Sequence, residues 1–271
     1  MNTITSIIEK IERAKELDFG TIFSESIELF KKTWVQGLLL QIFTIIVMIP
    51  LIIILYIPLI MMMIAQQESG YADPNAFNEF FAGMSVLYLI FVFVGILVLG
   101  TISLALNAGF FRIMKRLDHD EVITTSDFFH FVKGKHLSKI FILMLVSVLI
   151  STLVGFVAGI LALPTFFLSF LIFLYLMVPM SFFTLIFAFN SELNVGDIVK
   201  ASFKLGNKKW LISFGLYFVS YICVMILTMI TCGLGSLFVT PFMYHPLYLV
   251  YKHVVGFEET YLIEEAENSV E

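Results

Sequence analysis

The sequence predicts an all-α, polytopic membrane protein with six transmembrane helices, arranged as three repeats of an interfacial helix followed by a helical hairpin. Three observations carry this. The 271 residues are 59% hydrophobic and only 14% charged, and the mean hydropathy of +0.97 lies outside the range of a soluble domain of this length. Apolar runs of about 20 residues recur, long enough to cross a hydrocarbon core of ~30 Å. The basic residues fall only in alternate connections between these runs.

Residues 1–18 come first. Ile4, Ile7, Ile8, Ile11 and Ala14 form a stripe opposite Glu9, Lys10, Glu12, Arg13, Lys15 and Glu16, as in an amphipathic helix on the cytoplasmic side. Its charges nearly cancel, so it is expected to dock on the protein's own cytoplasmic face or on a partner helix. No basic start leads into an unbroken apolar core, and no cleavable signal peptide is expected.

The membrane domain is read over residues 19–256, with spans near 34–64, 84–107, 137–163, 165–189, 210–231 and 233–251. Pro50 and Pro58 mark a kink in the long first run, and Pro179, Pro241 and Pro246 mark the fourth and sixth. Five basic residues precede the first span, six lie from Arg112 to Lys139, four lie between the fourth and fifth spans, and Lys252 follows the sixth, which accounts for all sixteen. The Gln66 to Gly83 connection holds only Glu68, Asp73 and Glu79, with Tyr71, Phe77, Phe80 and Phe81 as an aromatic cluster. Both termini are therefore expected in the cytoplasm. The acidic stretch 257–271 reads as a flexible tail. Cys223 and Cys232 are nine residues and ~13 Å apart along a helix, too far to bridge within it.

The repeat shows when GTIFSESIELFKKTW, Gly20 to Trp34, is set over GDIVKASFKLGNKKW, Gly196 to Trp210. Glycine, Ile22/Ile198, Ser26/Ser202, Leu29/Leu205, Lys32/Lys208 and the two tryptophans coincide. A weaker echo begins at Ser126. Trp34, Trp210, Lys31, Lys32, Lys208 and Lys209 are the expected interfacial anchors. Ser147, Ser151, Gly155 and Gly159 recur every four positions and predict a smooth helix-packing ridge, within a compact bundle or at a homodimer seam.

The spaced residues Ser26, Leu29, Trp34 and Ser202, Leu205, Trp210 resemble the membrane domain associated with bacterial glycerophosphoryl diester phosphodiesterases and related uncharacterised bacterial integral membrane proteins. Gly109, Arg112, Phe128, Phe129, Pro164, Val178-Pro179 and the Pro241 to Tyr251 stretch extend the resemblance from Phe19 onward. It implies a membrane module of the bacterial inner membrane. The phosphodiesterase barrel and its paired Glu and His residues are absent, so it implies no hydrolytic activity.

No catalytic constellation, cofactor motif or metal box stands out. The five histidines include no HxxxH or HxxHH pattern, and His245 and His253 sit ~12 Å apart along a helix, too far to share one ion. Asp118, His119, Asp120 and Glu121 with His130 form a candidate cation cluster, for which a solvated loop is the simpler explanation. His245 is the one imidazole within a span, a possible polar intramembrane site or a histidine bonded to a neighbouring helix. The reading favours a non-enzymatic protein organising membrane lipids or partner proteins at the cytoplasmic face, alone or as a homo-oligomer. A carrier for a lipid-like substrate is the second reading and a metal-dependent membrane oxygenase the third. A net charge of −5 gives no reason to expect a nucleic-acid partner.

Overall fold

A computed structural model describes residues 3–70, 75, 79, 82–160 and 163–257. The cluster of Tyr71, Phe77, Phe80 and Phe81, the tail after Phe257 and the surroundings of Gly159 and Pro164 lie outside the described residues. Every element among the described residues is helical: α1 Ile4–Arg13, α2 Phe19–Ser69, α3 Val86–Asp118, a 3-10 turn Thr125–Phe129, α4 Gly134–Ile160, α5 Leu163–Phe189, α6 Val195–Lys208, α7 Trp210–Ile230, α8 Ser236–Val239, a second 3-10 turn Thr240–Tyr244 and α9 His245–Val254.

Five of these, α2, α3, α4, α5 and α7, are long and apolar enough to cross a membrane. The expected sixth span, 233–251, is not one helix. Pro241 and Pro246 each fall in the first turn of a new element, where a missing N–H is harmless, whereas mid-helix each would remove a hydrogen bond. The stretch accordingly divides into α8, the second 3-10 turn and α9.

The three repeat entrances also take different forms. Gly20 to Trp34 is no separate interfacial helix but the start of α2, whose 51 residues span roughly 76 Å. Gly196 to Trp210 forms α6 and then breaks at Lys209 before α7. The echo from Ser126 is a single 3-10 turn fixed by a capping box between Thr124 and Asp127. Local chemistry nevertheless matches. Asp18 caps the amide of Thr21 at 2.7 Å and Asn194 that of Asp197 at 2.8 Å, each closing an orphan N–H of a first turn. Ser26 donates to the Ile22 carbonyl at 2.7 Å and Ser202 to that of Ile198 at 2.8 Å.

Burial divides the bundle into two ends. On α2 the buried positions Ile22, Ser26, Leu29, Thr33 and Leu40 follow a helical face, whereas from Ile42 to Ile64 large apolar side chains are exposed. The same change occurs on α3, mostly exposed over Val86 to Val98 apart from Leu97 and buried on one face from Thr101, and on α5, mostly exposed over Phe167 to Tyr175 apart from Ser169 and largely buried from Val178. One end is a packed core of α2, α3, α5, α6 and α9. The other is a spread of helices offering apolar surface, far more than a protein leaves to water.

α1 closes the packed end. Ile7 and Ile11 are fully buried, Lys204 of α6 pairs with Glu12 at 2.7 Å, and the Lys209 ammonium donates to the Lys15 carbonyl. The amphipathic stripe is thus satisfied by the chain itself. α6 in turn buries Ile198, Ala201 and Leu205 against α5 and α1, so its apolar face is not turned to lipid as an interfacial helix requires.

Two glycines permit the close approach of another element's backbone. A Cβ on Gly109 would run into the Phe128 carbonyl oxygen, and one on Gly206 would lie 2.6 Å from Pro179 Cα. Because the obstruction is backbone, Gly109→Ala should destabilise the protein by about 1–3 kcal/mol, read as a lowered thermal unfolding midpoint in detergent. Gly155→Ala, where nothing lies within 4 Å, should leave that midpoint unchanged or slightly raised.

Candidate functional site

The polar groups converge on the seam where α9 and its preceding 3-10 turn enter the packed end. His245 is fully buried, with Phe30, Phe110 and Phe242 rings at 5.4, 6.1 and 5.9 Å. Its Nδ1 lies 3.1 Å from the Pro241 carbonyl and its Nε2 lies 2.6 Å from Thr33 Oγ1. A carbonyl only accepts, so Nδ1 carries the proton, and in the neutral ring Nε2 accepts from the threonine hydroxyl. Thr33 Oγ1 is also 3.0 Å from the Leu29 carbonyl, so its single proton serves two acceptors. His245 therefore ties α9 to α2, the hydrogen-bonded alternative expected from sequence.

Farther along α9, Asp118 at the end of α3 accepts from Tyr248 Oη at 2.8 Å and from Lys252 Nζ at 2.7 Å. Asn190 at the end of α5 donates to Tyr251 Oη at 2.7 Å and to the Ile186 carbonyl at 3.1 Å, and Glu25 of α2 meets His253 at 2.7 Å. With the bond from His245 to Thr33, one short helix is thus bound to α2, α3 and α5 through five polar contacts. Charge-assisted bonds of this kind are the strong ones when partly buried.

The acidic cluster is resolved into separate pairs. Asp118 is held by Lys252, Asp120 by Lys32 at 2.8 Å, and Glu121 by Arg116 at 3.1 Å. The hydrogen bond from Lys32 holds the Asp120 carboxyl below its usual range. Arg116 also reaches Asp127 at 2.8 Å and the Val122 carbonyl, pinning the connection after α3. His119 Nδ1 lies 2.7 Å from the Lys115 carbonyl. His130 packs edge-on against Phe131 and 6.0 Å from the His136 ring, and burial, with Arg112 and His136 nearby, holds it below the ordinary imidazole range. Among the described residues no three His, Cys, Asp or Glu side chains are grouped to hold a metal ion.

The expected anchors separate into two kinds. Trp34 is 45% exposed, Lys31 pairs with Glu28 at 2.6 Å, and Lys208 is exposed. Trp210 is half-buried, its indole N–H donating to the Tyr175 carbonyl at 3.1 Å while its ring stacks on Phe214 at 4.9 Å. Lys209 is buried rather than at a lipid surface, because its ammonium is committed to the end of α1. Burial and the neighbouring Lys208 lower its proton affinity. On the small-residue ridge, Ser147 donates to the Leu143 carbonyl at 2.9 Å, while Ser151 and Gly155 are exposed.

Sequence reasoning missed Thr33, Asn190, Tyr248, Tyr251 and Lys139, whose ammonium donates to the Ser191 and Leu193 carbonyls at 2.6 and 3.0 Å and so ties α4 to the turn between α5 and α6. A lone Lys252 after the last apolar run and the spaced Tyr244, Tyr248 and Tyr251 were the available signals. No protein-family model, curated protein or solved structure matches the chain.

Replacing Asp118 by Asn should leave Lys252 and Tyr248 without their charged acceptor, lowering stability by about 1.5–3 kcal/mol in detergent unfolding, with part of the loss recovered in the Asp118→Asn/Lys252→Met double variant. Glu9→Gln, in an exposed pair with Arg13, should change stability by under about 0.5 kcal/mol.

Proposed function

We propose that the chain is a non-enzymatic multi-pass protein of the bacterial inner membrane that organises lipids or partner proteins at its cytoplasmic face. In this reading the interrupted 233–251 stretch is the sixth membrane-embedded segment, and both termini lie in the cytoplasm. The observation that carries it is the segregation of charge: all sixteen Lys and Arg residues lie in segments that meet at the packed end, while the helices leading away from it present apolar side chains. Charge on the cytoplasmic side and an uncharged membrane layer are what insertion energetics favour.

The matched caps at Asp18 and Asn194 and the matched serine bonds at Ser26 and Ser202 support the internal repeat, as does the resemblance to the phosphodiesterase-associated membrane domain. Because α6 is enclosed by α5 and α1, contact with anionic headgroups falls to exposed lysines such as Lys31, Lys200 and Lys208, not to an inserted helix face. The carrier reading is favoured by one feature, the break at Pro241 and Pro246, since interrupted helices line substrate paths in transporters.

A Lys adds about 1 kcal/mol of attraction to an anionic surface. In native mass spectrometry from nanodiscs of mixed phosphatidylglycerol and phosphatidylcholine, the Lys31→Gln/Lys200→Gln/Lys208→Gln variant should retain at least tenfold less phosphatidylglycerol than the parent. Equal retention would count against a lipid-organising face at these lysines.

A further inference from the structure

Pro179 stands in the interior of α5. It supplies no N–H to the carbonyl four residues earlier, that of Tyr175, and its ring crowds the same group. In water a solvent molecule would meet the freed carbonyl, but in hydrocarbon a neighbouring helix must provide the donor. Here the donor is the Trp210 indole, whose Nε1 lies 3.1 Å from the Tyr175 carbonyl oxygen. The long first helix uses the same solution with other residues. Pro58 frees the Ile54 carbonyl, and Tyr88 near the start of α3 donates its hydroxyl proton to that oxygen at 2.9 Å.

Pro179 also divides α5 by burial. The residues before Val178 are mostly exposed, whereas Val178, Phe182, Phe183 and Leu185 to Phe187 are buried in the packed end. A helix bends at an interior proline, so the direction of the exposed half depends on what holds the joint. The corner between α6 and α7 holds it. Gly206 allows the backbones to meet, since a Cβ there would lie 2.6 Å from Pro179 Cα. Asn207 Oδ1 accepts from Tyr175 Oη at 2.7 Å, and the Trp210 ring stacks beside that of Tyr175 with centroids 6.5 Å apart. The corner is fixed from its other side as well, because the Lys209 ammonium donates to the Lys15 carbonyl after α1.

We propose that Pro179 is a hinge in α5 and that Trp210 is its latch. The indole N–H, presented by the docked corner, fixes the angle at which the half before Val178 leaves the packed end. It thereby sets the width of the groove that Phe173 and Leu176 line against Ile150 of α4. Released from Trp210, that half swings while the buried half stays in place. Trp34, the counterpart of Trp210 in the repeat, is exposed, so the matched tryptophans have different tasks.

The test uses the full chain in phosphatidylcholine nanodiscs, with Cys223→Ser and Cys232→Ser, spin-labelled at Phe170→Cys in the hinged half and at Lys200→Cys on α6. α6 packs on the buried half of α5, with the Phe203 and Phe183 rings 6.0 Å apart. Double electron–electron resonance should give a narrow distance distribution. Trp210→Phe keeps an aromatic ring but removes the donor from the carbonyl that Pro179 frees, and should broaden the distribution about twofold. In a Pro179→Ala background the alanine N–H takes the Tyr175 carbonyl back, and the same Trp210→Phe change should leave the width unaltered. An unchanged width in the Pro179 protein overturns the latch, and equal broadening in both backgrounds assigns the effect to lost ring packing and overturns it too. Should Trp210→Phe alone fail to fold, Pro179→Ala should restore folding, and failure to restore it likewise overturns the proposal.

Discussion

A Lys or Arg held at the middle of a bilayer costs several kcal/mol, and the chain meets that constraint by keeping its cations at the packed end, away from the long apolar stretches of its helices. Arg112, Lys115 and Arg116 close α3, Lys133 to Lys139 open α4, Lys200 to Lys209 occupy α6 and its exit, and Lys252 closes α9. Once there, many of them hold the fold together. Lys252 takes Asp118, Lys32 takes Asp120, Arg116 takes Glu121 and Asp127, and Lys204 takes Glu12. The basic residues segregated to this end are in large part the charges that join α1, α2, α3 and α9 into a core.

Away from that end the same constraint appears as thrift in polar groups. Ser26, Thr33, Thr101 and Ser147 on the long helices turn back onto the carbonyl four residues earlier, the buried imidazole spends both nitrogens on Pro241 and Thr33, and the serines left without a partner, Ser103, Ser169, Ser213 and Ser220, are withdrawn from the surface. Helices can then spread without exposing unmet polar groups to hydrocarbon.

Much of the architecture was legible in the residues. The spans near 84–107, 137–163, 165–189 and 210–231 correspond to α3, α4, α5 and α7, because an unbroken apolar run has one reading in a bilayer. The near-neutral polar face of α1 pointed to docking on the chain's own face or on a partner helix, and α1 packs on the chain itself. The long first helix was harder, since Lys31, Lys32 and Trp34 resemble a boundary between two elements although the chain continues helical through them. Pro241 and Pro246 signalled a disturbance in the final stretch, but a hydropathy window cannot distinguish a kink from a division into three elements. The polar seam was the least legible part. Asp118 and Lys252 are 134 positions apart, as are few pairs a local pattern can connect, and Lys209 was read as a surface anchor because its partner is a backbone carbonyl, which leaves no trace in composition.

The central claim is that the packed, basic end faces the cytoplasm and the spread helices lie in the bilayer. Single-cysteine labelling with a membrane-impermeant maleimide addresses it directly, because Cys232 sits exposed in the turn after α7. In intact cells the Cys223→Ser variant should label at Cys232, while Lys200→Cys and Asn268→Cys, each in a background lacking both native cysteines, should label only after the membrane is opened. Labelling of Lys200→Cys from outside would reverse the orientation, and opposite behaviour of the Lys200→Cys and Asn268→Cys variants would contradict a sixth membrane-embedded segment.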